Sequence, residues 1–349
     1  LWSKLLREMG KITILDVAQS AGVSVATVDR VLNHRTGVRK VTVERVEAAI
    51  RQLNYQPDRL AARLARSRDY RFCFVLPTGN NTFMVQLGEE VRAAAERMAP
   101  ERVVIDMRLT DVFDGNVLAQ TLDQIGDIYD GVAVVALDHP SVREAISGLS
   151  QRGVTVVTLV SDVPGSKRVH YAGIDNTSAG RTAASLMGKF LGGRRGEVGL
   201  IAGSLALRDH IERQFGFEQI MTHEYPHLSI LPVREGRDDW QRVEEVTAQL
   251  LKEHPNLIGI YNAGGGTRGI IVALEKARRE RDIVFIAHEL TNHARKALIK
   301  GTVDAIINQD AGHEVRSAVR VLLAKADNAP LIEAQERIRI DIFLRDNLP

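Results

Sequence analysis

Two stretches of this 349-residue chain have residue types and spacings that could do chemistry. Gly264-Gly265-Gly266-Thr267-Arg268-Gly269 is a G-x-G-x-x-G pattern between an apolar run and an amphipathic one, and Glu289 follows twenty residues after Gly269. In a dinucleotide site such glycines let the backbone approach a pyrophosphate, and the acid takes the ribose hydroxyls. His288-Glu289-Leu290-Thr291-Asn292-His293 imitates the zinc-protease H-E-x-x-H, but its histidines stand five residues apart. At ~100° per helical residue they point about 140° away from each other and cannot clamp one ion. His223 and His227 have the right spacing of four, yet Pro226 between them interrupts a helix. The serines and histidines form no G-x-S-x-G elbow or comparable nucleophile arrangement. No catalytic set, metal site or cofactor is expected, and the chain reads as a binding protein rather than an enzyme.

Charge is divided unevenly around these stretches. The net balance is +2, but residues 1–70 hold 13 Lys/Arg against 7 Asp/Glu, while the remainder holds 33 against 37. A basic head on an acidic body implies an anionic partner for the head alone. Hydrophobic residues at 44% and charged residues at 26% are the composition of a folded globular protein. The length implies two or three domains. No apolar run nears the ~20 residues of a membrane span. Residues 1–10 carry Lys4, Arg7 and Glu8 and do not resemble a signal peptide, so no membrane partner and a cytoplasmic location are expected. Cys73 stands alone, which excludes an internal disulfide.

In the head, Thr13-Ile14-Leu15-Asp16 fits a capping box. A first helix then runs to about Ala21, with Ile14, Val17, Ala18 and Ala21 on one face. Gly22 supplies a tight turn, and Ser24 caps a second helix over 25–33 whose Val28, Val31 and Leu32 face inward. A third helix follows Thr42 and carries Val43, Val46, Ala49, Ile50 and Leu53 at helical spacing. This is a helix-turn-helix pattern, with Val25, Ala26, Asp29 and Arg30 left outward at the second helix's start. Val25 and Ala26 suit thymine methyls, and Arg30 suits guanine O6/N7 or a phosphate. After Pro57, a short basic helix places Leu60 and Leu64 among four arginines, where Leu64 could wedge between base steps of a minor groove.

From Arg71 onward, strand-like runs at 72–76, 103–107, 131–137, 154–160, 198–202, 230–233, 258–261 and 283–287 alternate with helical stretches. Those helices are expected at 85–98, 118–125, 142–151, 215–223, 240–253 and 268–280. That order implies parallel sheets covered on both faces, with ligands bound beyond the carboxyl ends of strands.

The run Ile14-Leu15-Asp16-Val17-Ala18, Ala21-Gly22-Val23-Ser24, Thr27-Val28 and Arg30-Val31-Leu32-Asn33 resembles the headpiece of the LacI/GalR family of bacterial transcription regulators. Leu53-Asn54-Tyr55-Gln56-Pro57 with Ala61 to Leu64 is similar to that family's headpiece end and hinge helix. Gly173-Ile174-Asp175-Asn176, Arg213 with Gly216-Phe217, and the run from Ile306 to Gln309 resemble its effector-binding core, itself similar to periplasmic sugar-binding proteins. The resemblance implies an α/β core of two doubly wound parallel-sheet lobes, type I periplasmic-binding-protein-like, preceded by an all-α helix-turn-helix headpiece. Expected boundaries are an extension at 1–10, a headpiece at 11–57, a hinge at 58–70 and a core at 71–349. Within the core, one lobe takes about 71–174 and 309–328, and the other about 175–308 and 329–349.

By resemblance, DNA contacts fall on Thr13, Ser24, Val25, Ala26, Thr27, Arg30, Asn33, Ala61 and Leu64. Asp29 stands where the family usually has a serine. Effector contacts fall on Asn81, Phe83, Ser161, Asp162, Arg213, Asn262, Glu289 and Gln309. Glu289 replaces the family's usual aspartate, and the 262–266 loop departs from its Asn-Asp pattern. The function so implied is a DNA-binding repressor, acting as a homodimer or larger on a pseudo-palindromic double-stranded operator and controlled by a carbohydrate-like effector between the lobes. Two alternatives stay open: a solute-binding protein for sugar uptake, and a dinucleotide-responsive protein using the 264–269 loop.

Overall fold

The structure, a computed structural model, describes residues 12–32, 36–55 and 68–349. They belong to two compact units, Leu1–Arg68 and Asp69–Pro349.

In the first unit, α1 (Ile14–Ala21), α2 (Val25–Leu32) and α3 (Lys40–Gln52) enclose a small core of Val17, Ala18, Ala21, Val28, Val31, Val46 and Ala49. The capping box at the start of α1 is formed as the sequence predicts. Gly22 ends α1 at φ 63°, a conformation that a Cβ would strain. Helix α3 starts at Lys40, ahead of the expected Thr42; its N-cap Arg39 makes no side-chain cap bond, so no capping side chain marks that start.

The second unit holds two sheets. The first runs β2-β1-β3-β4-β5, entirely parallel, from β1 (Tyr70–Pro77), β2 (Val103–Thr110), β3 (Gly131–Val134), β4 (Thr155–Leu159) and β5 (His170–Ala172). Alternate residues of β1 serve opposite faces. Phe72, Phe74 and Leu76 pack with α4 (Thr82–Met98) and α12 (Ala311–Ala326), while Cys73 and Val75 pack with α5 (Gly115–Asp123) and α6 (Pro140–Gln151). Burial of both faces explains why these strands read as continuous apolar runs.

The second sheet has the same winding. It runs β12-β11-β10-β9-β6-β7 from β6 (Gly196–Ala202), β7 (Leu228–Ile230), β9 (Leu257–Asn262), β10 (Val284–His288), β11 (Ala305–Asn308) and an antiparallel edge, β12 (Asp341–Phe343); β8 (Arg234–Glu235) pairs beside β6. One face packs on α7 (Asn176–Leu191) and α8 (Arg208–Glu224), and the other on α9 (Trp240–Glu253), α10 (Thr267–Ala277) and α11 (Asn292–Lys300). Two differences from the expected elements have local causes. The strand expected at 230–233 is displaced to Leu228–Ile230, because Pro232 has no amide to give a ladder. Helix α8 begins at Arg208, not 215, because its first turns carry buried polar residues, Asp209, His210 and Arg213, that an apolar pattern does not detect.

The chain passes between the two sheets around Asp175, which caps α7, and around Asp310, which caps α12 and sends that helix back onto the first sheet. The final passage, after Asn328 at φ 51°, is held by Glu336, which accepts from Ser317 (2.5 Å) and Arg320 (2.9 Å).

Candidate functional site

In the head, the Thr13 hydroxyl accepts from the Asp16 amide at 3.4 Å, and the Asp16 carboxylate accepts from the Thr13 amide at 2.8 Å. The Thr13 hydroxyl, which donates to the Asp16 carboxylate at 2.7 Å, and then the Thr13 amide hold the Asp16 carboxyl below its ordinary range. Ser24 accepts from the Thr27 amide at 3.2 Å and so starts α2. With Val28 and Val31 buried, Val25, Ala26 and Arg30 stay exposed and Asp29 is half-buried. Positions i, i+1, i+4 and i+5 share one helix face, so small apolar groups and one guanidinium are presented together. That is a surface suited to base edges in a major groove. Asn33, Ala61 and Leu64 lie outside the described residues, as does the expected hinge up to residue 67; its last residue, Tyr70, instead opens β1.

The second unit gathers polar groups from segments far apart in sequence. Asn81, just after β1, caps α4 through its oxygen and donates Nδ2–H to Asp238 at 3.1 Å. Asn80 donates to Asp239 at 3.1 Å, so two amide–carboxylate bonds tie the lobes together. Behind them is a cavity of about 230 Å³, lined by Asn81, Phe83, the 264–268 loop, His288 and Glu289 among others. At ~30 Å³ per water, that is room for roughly eight waters. Phe83 serves twice, because its ring is also part of the first lobe's core.

Deeper in the fold, Arg213 is 2% exposed and donates to Asn176 Oδ1 (2.8 Å) and to the Ala263 carbonyl (2.9 Å). Its remaining nitrogen Nη2 lies 4.0 Å from Glu289 and has no hydrogen-bond partner. Gln309 donates Nε2–H to Glu289 at 2.7 Å, leaving Gln309 Oε1 and Glu289 Oε2 unpartnered. Ser161 Oγ, Asp209 Oδ1 and both carboxyl oxygens of Glu314 are buried and unpartnered as well. Buried polar atoms are nearly always satisfied, so this set makes the region a candidate binding site. Burial pushes the Glu289 carboxyl up to about 7, against the pull of Arg213. Burial opposes the charge on Arg213, yet Asp209 and Glu289 outweigh it and keep the guanidinium protonated. Burial holds His288 far below its ordinary value, so it is a neutral ring bonded to Tyr261 at 2.7 Å.

The backbone is strained at this same place. Val160, Asp238 and Glu289 have φ of 64°, 55° and 68°, a region that side-chain-bearing residues rarely adopt. Such strain persists where the surroundings fix a functional geometry.

The structure thus brings together Asn81, Phe83 and Glu289 around the cavity and links Arg213 and Gln309 to Glu289. Ser161 offers a buried hydroxyl. Two expected contacts are engaged elsewhere. The Asp162 carboxylate is taken by Arg168 (Nη2–Oδ2 2.5 Å), Thr158 (2.6 Å) and the Val163 amide (2.8 Å). Asn262 donates to the Gly265 carbonyl and to Thr267, both at 3.1 Å, and so shapes the glycine loop. Sequence reasoning missed Asp209, Asp238 and Glu314. Asp209 stands one helical turn before Arg213, the one periodic signal that could have found it.

The glycine loop does not have dinucleotide chemistry. A Cβ on Gly269 would meet the Trp240 carbonyl at 2.1 Å, so that glycine lets α9 and α10 pack closely. The Gly265 amide donates to Asp238 at 2.7 Å, which puts a carboxylate where a phosphate would have to sit. Trp240 carries the Arg268 guanidinium on its face at 4.0 Å.

Comparison with known proteins agrees with both units. Residues 72–330 match the periplasmic binding protein domain, and residues 13–58 match the bacterial regulatory proteins of the lacI family. The HTH-type transcriptional regulator pepR1 of Lactobacillus delbrueckii subsp. lactis is 40% identical over 23% of this chain and 24% of its own length. The lactose operon repressor of Escherichia coli is 25% identical over 70% of this chain and 65% of its own length. The matched stretches thus span between a quarter and two thirds of these relatives. Among solved structures, a transporter solute-binding protein from Burkholderia graminis in complex with D-arabinose is 26% identical, with a TM-score of 0.72 over 80% of this chain and 97% of that one. By the match that spans most of its length the chain belongs to the periplasmic binding protein domain family, and its head carries the domain of the bacterial regulatory proteins of the lacI family.

Proposed function

We propose that this protein is a transcriptional repressor whose affinity for operator DNA is set by a small polyhydroxylated effector held between the lobes of its core. The observation that carries the reading is the union, in one chain, of a lacI-family head with a core whose buried Arg213, Glu289, Gln309 and Ser161 all keep unpartnered polar atoms. The hydroxyls of a sugar-like ligand both donate and accept, so they can satisfy guanidinium, carboxylate and amide together. Val25, Ala26 and Arg30 read bases, while Thr13, Ser24, Thr27 and Asn33 hold the backbone. Ala61 and Leu64 enter the minor groove from the hinge. The protein works as a homodimer or larger in the cytoplasm, because two heads are needed for the two halves of a pseudo-palindrome. It performs no catalysis. Among the described residues no helix is long and apolar enough to cross a membrane.

Effector and operator favour different lobe arrangements, and each therefore changes the other's affinity by the same factor. An uptake protein would use the same cleft, but that reading leaves the head without a role. The test is selection of a binding sequence from random DNA by the full chain, followed by titration of the selected duplex with and without sugars and polyols. Enrichment of a two-fold-related sequence whose affinity responds to one such compound supports the reading; absence of sequence preference refutes it.

A further inference from the structure

His288, the last residue of β10, lines the cleft cavity beside Glu289 and is 1% exposed. Consecutive strand residues normally point to opposite faces. The left-handed turn at Glu289, φ 68°, breaks that alternation, and both residues line the cavity. Tyr261 of β9 pairs in register with Ile286, two residues before His288, so the two rings share one face of the sheet. Tyr261 Oη lies 2.7 Å from His288 Nε2, and the tyrosine ring is stacked on Phe217 of α8 with centroids 4.6 Å apart. The imidazole is therefore held in place from behind. Among the described residues its other nitrogen, Nδ1, has no hydrogen-bond partner.

The Tyr261 hydroxyl decides which nitrogen carries the proton. Tyr261 is fully buried, and among the described residues His288 is its hydroxyl's one hydrogen-bond partner. A protonated Nε2 would donate to the tyrosine oxygen and leave the buried O–H without an acceptor, an unfavourable arrangement. The O–H therefore donates to Nε2, which is the bare nitrogen, and the ring's proton resides on Nδ1. A buried Nδ1–H is just as unfavourable without an acceptor, and that acceptor is left to be supplied by whatever fills the cavity. One residue on, Glu289 Oε1 already accepts from Gln309 at 2.7 Å, while Oε2 has no partner. Consecutive residues of the cavity wall thus offer one fixed donor and one acceptor. Resting on the cleft as the effector site, we propose that His288 is a specificity-determining residue whose Nδ1–H donates to a ligand hydroxyl oxygen, while that hydroxyl or its vicinal neighbour donates to Glu289 Oε2. The ligand is then a polyol that keeps a hydroxyl at this position. A deoxy carbon there leaves both protein groups unpaired and is rejected.

The experiment is isothermal titration calorimetry of the full chain with D-ribose, D-arabinose, D-xylose, D-glucose and D-galactose, then with the monodeoxy forms of the sugar that binds most tightly. One monodeoxy form should bind the native chain at least about tenfold more weakly than its parent. His288→Phe keeps a ring but has no donor, so it should narrow that one gap while leaving the gaps at the other positions as they are. Tyr261→Phe lets the proton move to Nε2 and should narrow the same gap in part. In parallel, nitrogen NMR of the chain labelled at its histidine rings, with His288→Phe for assignment, should show Nδ1 protonated and Nε2 bare. A proton on Nε2, or a His288→Phe variant whose deoxy gaps all match the native ones, overturns the role of His288 and leaves the polyol-responsive repressor standing. Binding of no sugar by a folded chain overturns both. If His288→Phe fails to fold, Tyr261→Phe assigns the resonance and the narrowing of its gap decides.

Discussion

The head and the core carry their chemistry in opposite ways. In the head, one short helix turns its working residues outward: Val28 and Val31 anchor α2, and Val25, Ala26 and Arg30 face solvent. In the core, the working residues turn inward from six or more segments, from Asn81 near the start to Gln309 and Glu314 near the end. An outward surface is fixed by local periodicity and can change one residue at a time. The inward site is held by mutual hydrogen bonds, so removing one member leaves others buried and unsatisfied. Substitutions should therefore act gently and separably in the head, and sharply and cooperatively in the cleft.

The largest effect expected is total. A fragment covering 69–349 should lose all specific operator binding while keeping its ligand, measured by anisotropy and calorimetry; retained specificity would break the division between the units. Next come Arg213→Ala and Glu289→Ala, each of which leaves partners unpaired at about 1–3 kcal/mol, more where a charge is exposed to an apolar site. Effector affinity should fall at least about tenfold in each, since 1.4 kcal/mol is a factor of ten. The double variant should fall by less than the product of the two, because the residues act as one network.

A third expectation concerns pH. Glu289, and in the same direction Glu314, holds its proton more tightly in the folded chain than in the unfolded one. The stability these groups contribute is thus fully present below the ordinary glutamate range and is lost as pH rises through about 7. The ligand-free core should melt lower at pH 8 than at pH 5.5, and Glu289→Gln should flatten part of that slope. An unchanged slope would show that Glu289 is not buried as described.

Smaller effects belong to the head. Arg30→Ala should weaken operator binding by about 1–3 kcal/mol and relax preference at one base step, read by sequence selection. Thr13→Ala should lower the head's stability by about 0.5–2 kcal/mol through loss of the cap, leaving base preference unchanged.

What could be read from the amino-acid string follows the same contrast. The capping box at Thr13 and Asp16, the left-handed Gly22 and the inward face of α2 are local features, and each was legible from spacing alone. The alternation of strands and helices was legible too, since burial on both faces leaves long apolar runs. The cleft was legible only in part. Glu289 and Gln309 follow strand ends, where ligands bind, and Arg213 stood out through its resemblance to the family's effector-binding arginine. Asp162 and Asn262 stand at similar positions but are engaged by Arg168 and by the glycine loop, a choice made by loop geometry. Glu314 and Asp209 lie inside helices, where a charged residue normally reads as a solvated face. Their burial depends on contacts between distant segments and leaves no periodic trace.

The account turns on coupling between the cleft and DNA. The direct measurement is operator affinity of the full chain, titrated without and with saturating effector, in the native sequence and in Arg213→Ala. Effector should shift the native protein's operator Kd by roughly 5- to 150-fold, the usual span of coupling between sites. Arg213→Ala should bind operator as the native protein does without effector, yet need at least about tenfold more effector to reach the same shift. An effector that saturates the cleft while leaving the operator Kd unchanged would contradict the account.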